Sequence, residues 1–218
     1  MGPVLGELLP LAVGVAVSPI PIIAAILMLL GRHARTTSIG FAIGWLVGIV
    51  VAVAVFVALG SAVDLDGSSS STGWMKIALG VVLLVVGLRQ WRSRHAESAT
   101  PKWMSAIDEM RPVTATGIAF ALAAINPKNL VLCAAAGVSI ASGALSMPQD
   151  VIAVAIFALL ASTSVVVPVV GYQLAAARLR EPLDRLKSWL QANNATVMAV
   201  LILVIGVVLI GKGIGGAS

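Results

Sequence analysis

The sequence predicts an all-α integral membrane protein of six transmembrane helices. Two observations lead there. Of the 218 residues 59% are hydrophobic and the mean hydropathy is +1.05, whereas 11% are charged, about half the share in an ordinary soluble domain. The apolar residues also come in blocks close to the roughly 20 needed to cross a 30 Å hydrocarbon core. A soluble domain of this length would need far more surface charge.

The six expected spans are 4–30, 39–63, 74–88, 113–145, 151–176 and 195–210. No Lys or Arg precedes Arg32, so the first block lacks the basic start of a secretory signal and is expected to stay in the mature chain. The first and fourth blocks are too long for plain upright helices. At 1.5 Å per residue the fourth would make a rod of about 50 Å, so a break or strong tilt is expected in each. Six spans place both termini on one side. One set of connecting loops then has Arg32, Arg35, Arg89, Arg92, Arg94, Lys102, Arg111, Arg178, Arg180, Arg185 and Lys187, eleven of the fourteen basic residues. By the positive-inside rule those loops are cytoplasmic, in a plasma membrane, with both termini outside. The +5 net charge is therefore a topology signal and a contact for anionic lipids, and no nucleic-acid partner is expected.

Trp74 and Trp91 flank the third span as interfacial anchors. The stretches "PLDRLKSWLQ" (Leu183, Leu186, Leu190, Trp189) and "KWMSAIDEM" (Trp103, Ile107, Met110) set apolar residues at helical spacing against charged ones, so each is expected as a short helix on the membrane surface. The segment "DLDGSSSSTG" reads as a flexible outer loop. Cys133 is alone, which excludes an intrachain disulfide or a CxxC redox pair. No cofactor, metal ligand set or catalytic residue is indicated.

An internal repeat is expected from the prolines. "AVSPIPII" and "AAINPKNLV" place Pro19 and Pro127 108 residues apart, close to half the chain. Each lies in the first span of a three-span half, after a small polar residue, Ser18 or Asn126. Three spans per half force opposite orientations, giving a 3+3 inverted repeat with broken first and fourth helices. The organisation is then 1–90 for the first repeat, 91–112 for a cytoplasmic linker and 113–218 for the second repeat.

Proline lacks an N–H and clashes one turn back, so it breaks the helix. The freed backbone groups must face protein or a polar cavity, since lipid cannot satisfy them. For "SPIP" alone, with Pro19 and Pro21, a kink that shapes packing is the simpler reading. Lys128 changes the balance for "NPKN", because a mid-span lysine costs about 3 kcal/mol or more and normally marks a transport path or relay. Protonated, it would attract a carboxylate, phosphate or sulfate; alternatively it loads and unloads a proton as access alternates. Asn126 and Asn129 would orient the substrate or cap the half-helix, with Ser18 opposite. Ser162, Thr163 and Ser164, a turn before Pro168, would by default bond their own backbone, or line the same cavity next to a kink. Tyr172 and Gln173 would contribute to a gate. Gly40, Gly44 and Gly48 form a face for close helix contact, either internal or in a homodimer.

On "SPIPIIAAILML" and "INPKN", with six spans in this length, the chain resembles the GAP/Sap branch of the LysE superfamily of small exporters, the glycopeptidolipid- and sulfolipid-addressing proteins of actinobacteria. The resemblance implies export of a cell-envelope lipid or related anionic amphiphile across the inner membrane. Its motif positions here are Ser18, Pro19, Pro21, Asn126, Pro127, Lys128 and Asn129. Amino-acid exporters of that superfamily have a glycine–proline pair in the first span. Ser18 stands there instead, which disfavours a small amino-acid-like metabolite, though it stays an alternative. A further alternative is an accessory subunit docked on a larger lipid-export complex. An intramembrane enzyme would need clustered acids, histidines or metal ligands, and none is seen. No nucleotide-binding loop is present, so proton coupling is the expected energy source.

Overall fold

The computed structural model describes residues 1–62, 69–92 and 110–217, and every element among them is helical. They are α1 (Gly2–Ala16), α2 (Pro19–Leu30), α3 (Ala34–Ala62), α4 (Ser69–Arg92), α5 (Pro112–Ala124), α6 (Pro127–Ala141) and α7 (Met147–Ala217). Three of these are long and apolar enough to cross a membrane, lying within α3, α4 and α7. Counting each bent pair as one span raises the number to as many as five, as in a multi-pass membrane protein. Rows of large apolar side chains face outwards, such as Val47, Val51 and Val55 on α3 and Val200, Val204 and Val207 on α7. In water such a surface would aggregate; in lipid it is solvated.

The two expected breaks are present. The pair α1–α2 bends by 54° and α5–α6 by 63°. Both second helices begin with proline at the first helical position after a residue in extended conformation, Ser18 (φ −83°, ψ 111°) and Asn126 (φ −62°, ψ 120°). Proline disfavours the helical region for the residue before it and needs no N–H at that position, so the chain breaks at that point.

A third break falls beside the expected end of the fifth span at 176. In α7 the non-helical residue is Ala175 (φ −145°, ψ 48°), whereas Pro168 and Pro182 lie inside the helix. The kink expected next to Pro168 is therefore displaced to Ala175. Contacts show that α7 turns back there. Ser164 reaches Ala16 and Gln173 reaches Arg35 on the way out, while Met198 meets Lys128 and Lys212 meets Gly6 on the return. The segment "PLDRLKSWLQ" is helical as expected but continuous with α7, burying Leu183 and Leu190 and exposing Trp189. Its charges pair locally, Arg185 with Glu181 and Lys187 with Asp184.

The glycine face is used inside the molecule. Gly44 packs so tightly on the Thr116 backbone that any Cβ would clash, and Thr116 Oγ1 donates to the Gly40 carbonyl at 2.9 Å. Gly40, Gly44 and Gly48 meet Pro112, Thr116 and Phe120 in turn, so α3 and α5 run side by side in the same direction. This interface occupies the face that could have served a dimer. Helix α4 starts at Ser69, so the loop read over 64–73 ends there, and its first residues lie outside the described ones. The surface helix expected around Trp103 and Ile107 also lies outside them, while Met110 is buried.

Candidate functional site

The two breaks meet. Lys128 is 3% exposed, and its Nζ donates to Ser18 Oγ at 2.7 Å. It also lies 4.0 Å from Met198 Sδ. Ser18 Oγ in turn approaches Asn129 Oδ1 at 3.5 Å. Residues 110 positions apart in the chain are thus joined at the point where both helices are interrupted. Away from the junction, Val4 packs against Gly143 at the far end of α6. The α5–α6 pair therefore runs opposite to α1–α2.

The side chains around the breaks answer the freed carbonyls. The end of α1 leaves the Ala16 carbonyl without its helical partner, and Ser164 Oγ donates to it at 2.5 Å. The end of α5 leaves Leu122, whose carbonyl accepts from Asn129 Nδ2 at 3.1 Å. Without these donors each break would place an unsatisfied carbonyl in a region with no water, costing about 1–3 kcal/mol.

Capping differs between the two. Asn126 Oδ1 accepts from the Lys128 backbone N–H at 3.1 Å, whereas Ser18 makes no side-chain cap on α2. A serine cap accepts from the second or third helical N–H; at α2 Pro21 removes the third, and Ser18 does not use the second, that of Ile20. The Ser18 hydroxyl is left free to accept from Lys128.

A protonated lysine has three donors. Among the described residues Nζ has one oxygen acceptor, Ser18 Oγ, with a thioether as weak second contact, and no carboxylate lies within ion-pair distance. The first turns of α2 and α6 point their positive ends at the same junction. An anion with oxygens to spare would satisfy the remaining donors. Among the described residues no group of His, Cys, Asp or Glu could hold a metal ion, and Cys133 is free and buried.

The other expected residues divide. Pro19, Pro21 and Asn129 are buried at the junction, Asn126 is half-buried and Pro127 is exposed. Ser162 is buried, and its Oγ has no partner among the described residues. Thr163 is exposed and donates to the Leu160 carbonyl at 2.8 Å. The three hydroxyls therefore do not share one cavity with Lys128. Gln173 bonds the Arg35 carbonyl at 3.3 Å and Ser38 Oγ at 3.5 Å, while Tyr172 is buried beside it. Arg180 reaches the Leu30 carbonyl at 3.5 Å at the same end.

Sequence reading missed two features. Met198 carries no polar signal that would announce a contact with Lys128. Glu7 and Lys76 form an ion pair at 2.7 Å, with Lys76 8% exposed, and Ser139 and Lys212 stand beside them. Their pairing depends on the tertiary packing that brings Glu7 of α1 and Lys76 of α4 to the same end of the bundle.

A family model described as Sap, sulfolipid-1-addressing protein, matches residues 8–215, nearly the whole chain. No curated protein and no solved structure matches it.

Proposed function

The chain belongs to the sulfolipid-1-addressing protein family, and from that membership we propose that it is a secondary transporter exporting an anionic envelope lipid, with Lys128 receiving the anionic group. The single observation that carries this reading is the Lys128–Ser18 contact. A buried amine with unused donors stands where two broken helices direct their positive ends. That arrangement suits a sulfate, phosphate or carboxylate more than it suits architecture alone, because a packing role would be filled at lower cost by an apolar side chain.

The architecture in this proposal is the inverted repeat, with placement in the LysE superfamily. Taking the two arms of α7 on either side of Ala175 as separate spans gives six. The halves are then α1–α2, α3 and α4 against α5–α6 and the two arms of α7. The antiparallel courses of the two broken pairs support this. One end of the bundle holds Arg35 and Arg180 with Gln173, and the other holds the Glu7–Lys76 pair and Lys212. The first end faces the cytoplasm in this reading. Alternating access would open one end while the other stays closed over Lys128, driven by the proton gradient. Lys128 binds in this scheme and catalyses nothing.

The test is export of envelope lipid by cells carrying Lys128→Met, which keeps length and removes charge, at matched membrane abundance. Loss of a charge-assisted hydrogen bond of about 1.5–3 kcal/mol predicts a fall of about 10- to 100-fold. Normal export would overturn the transporter reading and favour an accessory subunit of a larger export complex.

A further inference from the structure

Two grooves follow the broken helices and approach the Ser18–Lys128 contact from opposite ends. One, of about 570 Å³, runs from Leu9 through Val13 and Val17 to Ile22, walled by Leu160 and Val167 of α7. The other, of about 390 Å³, runs along α5 from Ile118 to Pro127. Lys128 lines neither. It lies behind the α1–α2 break that the first groove passes, bonded to Ser18, and next to Pro127 at the end of the second.

The larger groove is hydrocarbon along its length. Its two hydroxyls are spent on backbone, Thr163 on Leu160 and Ser164 on Ala16. A polar occupant would find no partner there. From Leu9 to Val17, next to Ser18, the helix contour is about 12 Å, most of the roughly 15 Å of hydrocarbon in one leaflet. The length therefore suits a single extended acyl chain. Charge decides which amphiphile. A cation with unused donors behind the wall of an apolar groove, at the helix break, complements a molecule with an anionic head and a long tail. A free inorganic anion would leave the groove empty, and a neutral lipid would leave the amine unanswered.

We propose that the groove between α1, α2 and α7 is the acyl-chain site for the anionic lipid whose head Lys128 receives, an inference that rests on the transporter reading. The tail lies along Val13, Val17 and Val167, and the head reaches past Val17 to displace the Ser18 hydroxyl from Nζ. The α5 groove offers the same tail a place on the opposite approach to the lysine.

The test uses the full chain in phosphatidylcholine vesicles doped with phosphatidylglycerol carrying a photoactivatable diazirine on its acyl chain. After irradiation, labelled peptides are mapped by mass spectrometry. Label is expected to concentrate several-fold on residues 9–22 and 160–168 relative to other lipid-facing surface. Val13 is 55% exposed, so Val13→Trp should fold normally, fill the groove and lower that labelling several-fold. Val81→Trp, on the lipid-facing side of α4, should leave it unchanged. Wild type should label less with a diazirine phosphatidylcholine, and Lys128→Met should erase the difference between the two lipids. Even labelling over all apolar faces, or labelling indifferent to Val13→Trp, would mean annular lipid alone and overturn the proposal. Groove labelling together with normal export by Lys128→Met would instead leave the chain site standing and remove the transporter reading.

Discussion

The two helix breaks use the same device and dispose of it differently. Each has proline at the first helical position and a small polar residue before it in extended conformation. At the second break, Asn126 closes on its own helix, and Asn129 holds the Leu122 carbonyl. That break is locally self-sufficient. At the first, Ser18 caps no N–H of its own helix, and the Ala16 carbonyl depends on Ser164 from α7. That break is completed only by other parts of the chain. The lesson is a division of labour: one break fixes the lysine's backbone, and the other leaves a hydroxyl free to meet its amine.

The largest expected effect comes from removing that hydroxyl. Ser18→Ala leaves the buried Nζ of the empty site without an oxygen acceptor, and stability should fall by about 1.5–3 kcal/mol for a bond to a charged group, read as a reduced melting temperature in detergent without added lipid. A melting temperature equal to wild type would show that the two breaks do not depend on one another. Next, Asn129→Leu strands the Leu122 carbonyl in the interior. It should lower stability by about 1–3 kcal/mol, read as a reduced melting temperature in detergent. A melting temperature equal to wild type would mean that the second break is held by its proline and cap alone. The smallest effect is expected for Pro21→Ala, which adds a second N–H beside that of Ile20 for Ser18 to cap. The melting temperature should fall by less than for Ser18→Ala; an equal loss would show that Pro21 does more than withhold an N–H.

Much of this was legible because it depends on local properties. Hydropathy declares apolar blocks, and a proline inside one declares a break wherever the helix lies, so the interruptions at Ser18–Pro19 and Asn126–Pro127 could be read directly. Lys128 could be singled out because a charge in hydrocarbon is costly in any fold. The same logic misled at Pro168, which stays helical, while α7 breaks at Ala175, beside the expected end of the fifth apolar block at 176. What no local preference encodes is that the chain stays helical on both sides of that break, since this depends on what the two arms pack against. The fate of Ser162, Thr163 and Ser164 was equally undetermined, since which hydroxyl faces Ala16 depends on how α7 is set against α1.

By itself, then, the sequence determined the class of molecule, the positions of its proline breaks and the presence of a cation that needs an explanation. Tertiary structure alone decided that Ser18 meets Lys128, that Glu7 pairs with Lys76 and that the Gly40–Gly44–Gly48 face closes on α5. The physical reason is range. Solvation and backbone chemistry act on each residue where it stands, while a hydrogen bond across 110 positions exists only once packing has brought both partners within 3 Å.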